Sequence, residues 1–249
     1  MLSYGPTVSH LKPKLAFFKF ALPFTAIFGR KTEIEPTNNS FNGGWQLKRL
    51  LEELTGEKAP GPTPSFTAVH AIKALELIAK EPIGRNRFSK ELALGEGATR
   101  TLIERFKDHG LITADRTGCA LTKNGESMWR ALYAVFPRKT TIGRSRLTLG
   151  RFNVAVLVKE GASKVRSGME QRDMALIAGA KGATTLLYSS GRLAVPPEQR
   201  DATEEAPEIC KALIEQLKPA DNDAVVIGSA DTPEKAEYGA LAAALSFID

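Results

Sequence analysis

Cysteine and histidine are almost absent from this 249-residue chain, which has two of the former and three of the latter. Cys119 and Cys210 lie far apart with no CxxC spacing, so the chain offers neither a disulfide framework nor a thiolate zinc site. His10, His70 and His109 form no pair at helical spacing, and the usual ligand set of a metal or histidine-based catalytic centre is missing. Each histidine reads as a surface or structural residue. The catalytic and nucleotide-binding strings GxxxxGK[ST], GxGxxG, GxSxG and HExxH are lacking too, and Gly179-Ala180-Lys181-Gly182-Ala183 does not have P-loop spacing. No cofactor, metal or enzymatic activity is therefore expected.

Long apolar runs are also scarce. The best candidate, Leu15 to Phe28, is broken by Lys19 and Pro23 and falls short of the ~20 apolar residues that a spanning helix needs. It follows Lys12 and Lys14 as a signal-peptide core does, but Gly29-Arg30-Lys31 is no small-residue cleavage site. Residues 1–44, with a turn-rich stretch from Glu33 to Gly44, are read as a poorly ordered N-terminal extension. No stable membrane insertion is expected, and the scarcity of cysteine fits a reducing cytoplasm.

What is present is an uneven distribution of charge. The net charge is +6, and it divides into +3 over residues 1–60, +7 over 61–150 and −4 over 151–249. A basic middle beside an acidic end is the asymmetry expected when one segment meets a polyanion and the other does not.

Apolar spacing predicts a short helix over residues 45–54, after which Ala59-Pro60-Gly61-Pro62-Thr63-Pro64 can hold neither helix nor central strand. Residues 67–80 place Val69, Ile72, Leu75 and Ile78 on one face of a second helix, ended by Glu81-Pro82. A short helix over Phe88–Leu94 follows. Gly95-Glu96-Gly97 is read as a tight connection to a helix over Ala98–His109, with Leu102, Ile103 and Phe106 inward and Gly110 as a left-handed cap. Two short strands, 111–114 and 119–122, flank Asp115-Arg116-Thr117-Gly118, a hairpin turn. A helix over 123–136 closes the unit at Pro137. The order of helix, short helix, turn, helix, hairpin and helix is that of a winged helix-turn-helix, assigned here to residues 45–140.

From Arg151 the pattern changes. Phe152–Val158 and Asp223–Gly228 have the composition of buried strands, and Ala183–Tyr188 with Arg192–Val195 reads as a hairpin around Ser189-Ser190-Gly191. Helices are predicted over 169–180, 204–217 and 232–247, the last with Thr232 as N-cap and Pro233 at N1. Alternating strands and helices predict a smaller α/β sheet domain over residues 150–249. The fold class is thus α+β / α/β, a winged helix-turn-helix followed by that domain.

Two strings carry a resemblance. Ile83 to Leu92 and Gly97 to Ile112, ending in Asp108-His109-Gly110-Leu111-Ile112 before a glycine-tipped hairpin, resemble the helix-turn-helix of winged-helix regulators. Glu170-Gln171-Arg172-Asp173 and Gly179 to Leu186 extend the likeness: over about residues 47–249 the chain is similar to an uncharacterised archaeal family of winged-helix transcription regulators with a C-terminal α/β domain of unknown function. The resemblance implies a DNA-binding regulator without naming an effector.

On that reading the partner is double-stranded DNA. Ala98, Thr99, Arg100, Thr101 and Arg105 on the recognition helix face the major groove, whose ~12 Å width admits a helix. Arg85, Arg87 and Lys90 on the preceding helix meet phosphates, and Arg116 at the wing tip enters the minor groove. A small-molecule effector is expected near two polar clusters of the C-terminal domain, Glu170, Gln171, Arg172 and Asp173 at one helix start and Ser229, Asp231 and Thr232 at another. The bland alternative for both clusters is a capped and solvated first turn. A homodimer matches palindromic half-sites. Two other functions stay open: a winged-helix protein-interaction module in an assembly, and an enzyme with an unrecognised active site in the C-terminal domain.

Overall fold

The computed structural model describes residues 44–57, 64–197 and 200–248. The reading of residues 1–44 as an extension falls almost wholly outside them. Among the described residues no helix is long and apolar enough to cross a membrane.

The first half is built around five helices that share one core. Helix α1 (Gly44–Thr55) buries Leu47, Leu51 and Leu54, the i, i+4, i+7 stripe of an amphipathic helix. It packs on α2 (Ala68–Lys80), where a capping box joins Thr67 to His70: the imidazole Nδ1 accepts from the Thr67 N–H at 3.1 Å. Helix α3 (Arg85–Leu92) buries Phe88 and Leu92, and α4 (Glu96–Asp108) buries Leu102, Ile103 and Phe106. The connection between them departs from the expected Gly95–Gly97 turn. Ala93 takes the left-handed conformation (φ +50°), its N–H donating to the Lys90 carbonyl, and Gly95 is the N-cap of α4, so Glu96 and Gly97 are already helical.

Helix α4 closes at Gly110 (φ +64°), as its sequence predicts, and leads into the hairpin of β1 (Ile112–Asp115) and β2 (Gly118–Leu121). The wing is stitched back to the helices. Ile83 and Cys119 exchange backbone hydrogen bonds of 3.1 and 2.9 Å, so the segment entering α3 acts as a third strand. Gly118 permits this approach: it sits at φ +127°, and a Cβ there would lie 2.7 Å from the Ile83 carbonyl carbon. Helix α5 (Lys123–Val135) starts at Thr122, whose side chain accepts from the Gly125 N–H.

The second half is a six-stranded sheet. Strands β3 (Lys139–Ile142), β4 (Phe152–Val158), β5 (Gly182–Ser189), β6 (Arg192–Val195), β7 (Arg200–Asp201) and β8 (Ala224–Ala230) lie in the order β3-β4-β8-β5-β6-β7, with every pairing antiparallel. The fold is therefore mixed α+β, with helices first and the sheet after. Its central strands β4 and β8 read as continuous apolar runs because both faces are covered. Val154, Val156 and Val226 face α6 (Met169–Ile177) and α9 (Pro233–Leu245), whereas Ala155, Leu157 and Ile227 face the core built with α8 (Pro207–Leu217). The short α7 (Ala202–Glu205) precedes α8. Helix α9 lies very close to β8: a Cβ on Gly228 would come within 2.3 Å of the Ala240 nitrogen.

Strand β3 has no counterpart in the sequence reading, which placed residues 139–140 at the end of the winged helix. In the structure they pair with Ala155 and Val156 of β4. This strand brings Lys139 to a buried ionic cluster between the two halves. Its ammonium contacts Glu76 of α2 and Glu237 of α9, Lys73 donates to both Glu237 oxygens at 2.7 and 2.8 Å, and Lys80 reaches Glu76 at 2.8 Å. Burial alone would raise the Glu76 carboxyl, but Lys139, Lys73 and Lys80 bring it down to about 2. Glu237 is lowered by the same neighbours against its own desolvation. Beside this cluster the Tyr238 hydroxyl donates to the Leu92 carbonyl at 3.0 Å, and its ring meets His70 edge-on at 4.9 Å.

Both carboxylates are depressed in the folded state, so their contribution is complete above the unfolded value near 4.5 and is lost as pH falls toward 2. Stability to urea should therefore decline between about pH 5 and pH 2. Glu76→Gln should cost about 3–5 kcal/mol at pH 7, because it leaves buried lysines short of a counter-charge, and should flatten the acid limb. Urea titrations of both proteins at pH 7, 4.5 and 3 check this; a variant with unchanged acid sensitivity would refute it.

Candidate nucleic-acid interface

The exposed side of the helix-turn-helix follows from which side of α4 is used by the core. With Leu102, Ile103 and Phe106 inward, the outward residues are Gly97, Arg100, Thr101, Glu104 and Lys107, with Ala98 half-buried. Arg100 is exposed and makes no ion pair among the described residues. Thr101 is exposed as well, its hydroxyl bonded back to the Gly97 carbonyl at 3.1 Å. Gly95 provides no side-chain cap for α4, which leaves the partial positive charge of the first N–H groups open to an anion.

On α3, Arg85 and Lys90 are exposed and likewise unpaired among the described residues. Arg87 is exposed but held by Glu81 at 2.6 Å, with Glu91 at 3.8 Å. At the wing tip Arg116 is exposed in a turn fixed by Asp115, which accepts from the Thr117 N–H at 2.7 Å and from its hydroxyl at 2.6 Å. Those bonds to Thr117 lower the Asp115 carboxyl, so the turn is preformed at neutral pH. The wing base is also electropositive: burial raises the Cys119 thiol, while Arg85 and Lys107 pull it back.

Two recognition-helix assignments need correction. Thr99 is fully buried and its hydroxyl donates to the Gly95 carbonyl at 3.0 Å, so it belongs to the α4 start and is not turned toward a groove. Arg105 is 5% exposed; its Nη1 donates to the Leu54 and Gly56 carbonyls at 2.7 Å each, and its guanidinium stacks 5.2 Å from the Phe66 ring centre. It secures the carbonyl end of α1, a role suited to a cation at a helix C-terminus. A position one turn after Thr101 looks outward on a helical wheel until α1 is laid against it.

The structure also redistributes the C-terminal clusters. Gln171 is buried and donates to the Ser246 hydroxyl at 2.8 Å; Ser229 is buried and accepts from the Leu149 N–H at 3.1 Å. Both are structural. Thr232 caps α9 by accepting from the Lys235 N–H, and Asp231 pairs with Lys181 at 2.7 Å. Glu170, Arg172 and Asp173 are exposed, the last two paired at 2.9 Å. Because β8 is antiparallel to both neighbours, the expected ligand crevice of a parallel sheet is not formed at Gly228–Thr232. Missed by the sequence reading were Lys73, Glu76, Lys139 and Glu237. A lysine and a glutamate inside an otherwise apolar helix face are the only sequence sign of that cluster.

Arg105→Ala should cost about 2–4 kcal/mol, since the buried Leu54 carbonyl and the part-buried Gly56 carbonyl lose a charged donor, whereas Arg100→Ala should stay within about 0.5 kcal/mol of the parent. Equilibrium unfolding in urea distinguishes the two, and equal losses would refute the placement of α1 on α4.

Comparison with known proteins places the chain. Residues 70–127 match the model of the PH0730-like N-terminal domain, and residues 149–247 match a domain of unknown function, DUF4443. No curated protein sequence matches it. Among solved structures, the hypothetical protein PH0730 from Pyrococcus horikoshii OT3 is similar at 30% identity and a TM-score of 0.59, over 72% of this chain and 91% of that one. The two domain matches run in the same order as the helical and sheet halves, and the chain belongs to this archaeal family of PH0730-like proteins.

Proposed function

We propose that the protein is a DNA-binding transcription regulator that reads duplex DNA with α4 and the wing. The observation that carries this reading is a set of four exposed cations, Arg85, Lys90, Arg100 and Arg116, which make no ion pair among the described residues and are spread over α3, α4 and the wing tip. A cation without an internal partner keeps its full attraction for phosphate, and release of condensed counterions then drives association. Arg87, held by Glu81, lacks that freedom. Arg100, on the outward side of α4, is the candidate for bidentate contact with guanine. Arg85 and Lys90 serve as phosphate contacts, and Arg116 as the minor-groove contact.

The reading includes a homodimer, because two half-sites multiply a modest single-site affinity. Exposed Leu176 and Ile177 on α6 supply apolar surface on the C-terminal domain for such pairing. The bland alternative is a winged helix used only for protein docking, which has no need of unpaired cations.

Selection from random duplex DNA at two salt concentrations tests the proposal. Enrichment of a short, palindromic site with binding that weakens steeply in salt is expected. On that site Arg100→Ala should lose about 1–3 kcal/mol and relax specificity at one base pair, while Lys90→Ala should weaken all sequences alike and reduce the salt slope by about 1. Absence of salt-sensitive duplex binding would sink the reading and favour protein docking. Sedimentation equilibrium should show a dimer, and a monomer bound to a single half-site would remove that part alone.

A further inference from the structure

A cleft of about 290 Å³ opens in the C-terminal domain where β6 leaves β5. Strand β6 pairs with β5 only over Leu187–Ser189, so the outer edge of β5 over residues 182–186 has no strand partner among the described residues. Backbone groups at such an edge remain available to a ligand. Three arginines from separate segments line the cleft: Arg146 before β4, Arg172 on α6 and Arg200 on β7. No carboxylate lines it among the described residues. Arg146 makes no ion pair there, and the pairs that engage Arg172 with Asp173 and Arg200 with Glu205 are solvent-exposed on at least the arginine side, so they give way readily to a better anion.

The start of α6 forms another wall. Gly168, at φ +74°, is its N-cap and has no side chain to offer the first N–H groups; the Met169 N–H reaches the Ser167 hydroxyl only at a long 3.4 Å, so the helix start can still receive an anion. Against it lies Thr185 of β5, 4% exposed, whose Oγ1 has no hydrogen-bond partner. This hydroxyl is 3.4 Å from where a Gly168 Cβ would stand, so it faces the helix start at the floor of the cleft. A buried hydroxyl left unpaired is destabilising unless something bonds to it.

From these features we infer that the cleft is a binding site for the phosphate group of a small metabolite. Guanidinium forks, a helix N-terminus and a hydroxyl donor together match the three strong acceptor oxygens of a phosphate monoester. The volume lies at the lower limit of ligand pockets, roughly 300–1,000 Å³, and suits a small phosphorylated compound better than a dinucleotide. The site shares no residue with the proposed DNA-binding surface.

Titration calorimetry of the full chain with inorganic phosphate, at ionic strength matched with chloride, tests the inference. Saturable binding is expected, with a Tm that rises with phosphate concentration. Affinity should fall at least tenfold in Arg146→Gln and in Arg172→Gln and several-fold in Thr185→Val, the two arginine variants retaining the parental Tm in chloride and Thr185→Val matching or exceeding it. Arg100→Ala should bind phosphate normally. No binding, equal affinity in the three cleft variants, or loss confined to Arg100→Ala would overturn the assignment, the last by placing the anion on the winged helix. Succinate binding tenfold tighter than phosphate would overturn the choice of phosphate.

Discussion

The contact on which the rest of the molecule depends is the ionic cluster of Lys73, Glu76, Lys139 and Glu237. Bringing two carboxylates and two ammoniums out of water is costly, and it is tolerable only when each charge finds a partner at hydrogen-bond distance. Those partners come from α2, β3 and α9, elements far apart in the chain. The cluster is thus satisfied in one relative placement of the winged helix and the sheet, and apolar packing around it has no comparable selectivity. Tyr238 strengthens the same placement by reaching the Leu92 carbonyl at the end of α3.

Helix α9 consequently touches both halves of the molecule. One side gives Glu237 and Tyr238 to the winged helix; the other packs on β8 and α6, with Gly228 and Gly239 keeping the backbones close. Gly239 faces Ala180, just beyond α6. Helix α6 carries Arg172 and begins at the phosphate cleft. A rigid, closely packed helix between the two sites is the kind of element through which a ligand at one can bias the other, provided that element has two arrangements.

Much of this architecture was legible in the sequence, for reasons specific to each element. The stripe of α1, the Gly110 terminus of α4, the Ser190–Gly191 hairpin and the Thr232-Pro233 opening of α9 are local signals, and the structure follows them. What failed was non-local. Strand β3 is four residues long and becomes a strand only because β4 lies beside it. Arg105 and Thr99 looked like groove-facing residues because a helical wheel does not show that α1 and the turn before α4 occupy their side. Gln171 and Ser229 were polar residues near helix starts, yet their hydrogen-bond partners, Ser246 and the Leu149 N–H, lie 75 and 80 residues away. Arg146, Arg172 and Arg200 share no motif and meet only when the sheet forms.

The same distinction explains why the remaining residues of the proposed DNA face form a coherent set. Removing Thr99 and Arg105 leaves seven of the nine assigned positions, and four of these, Arg85, Lys90, Arg100 and Arg116, are exposed cations without an ion pair among the described residues. The protein neutralises its buried cations with care, matching Lys73 and Lys139 to glutamates and Arg105 to carbonyls. Like Arg146 in the C-terminal domain, these four exposed cations have no such match among the described residues. Self-repulsion among them costs stability in the free protein, and a polyanion removes that cost on binding. A neutral protein surface offers no such compensation, and this asymmetry favours nucleic acid as the partner of the winged helix.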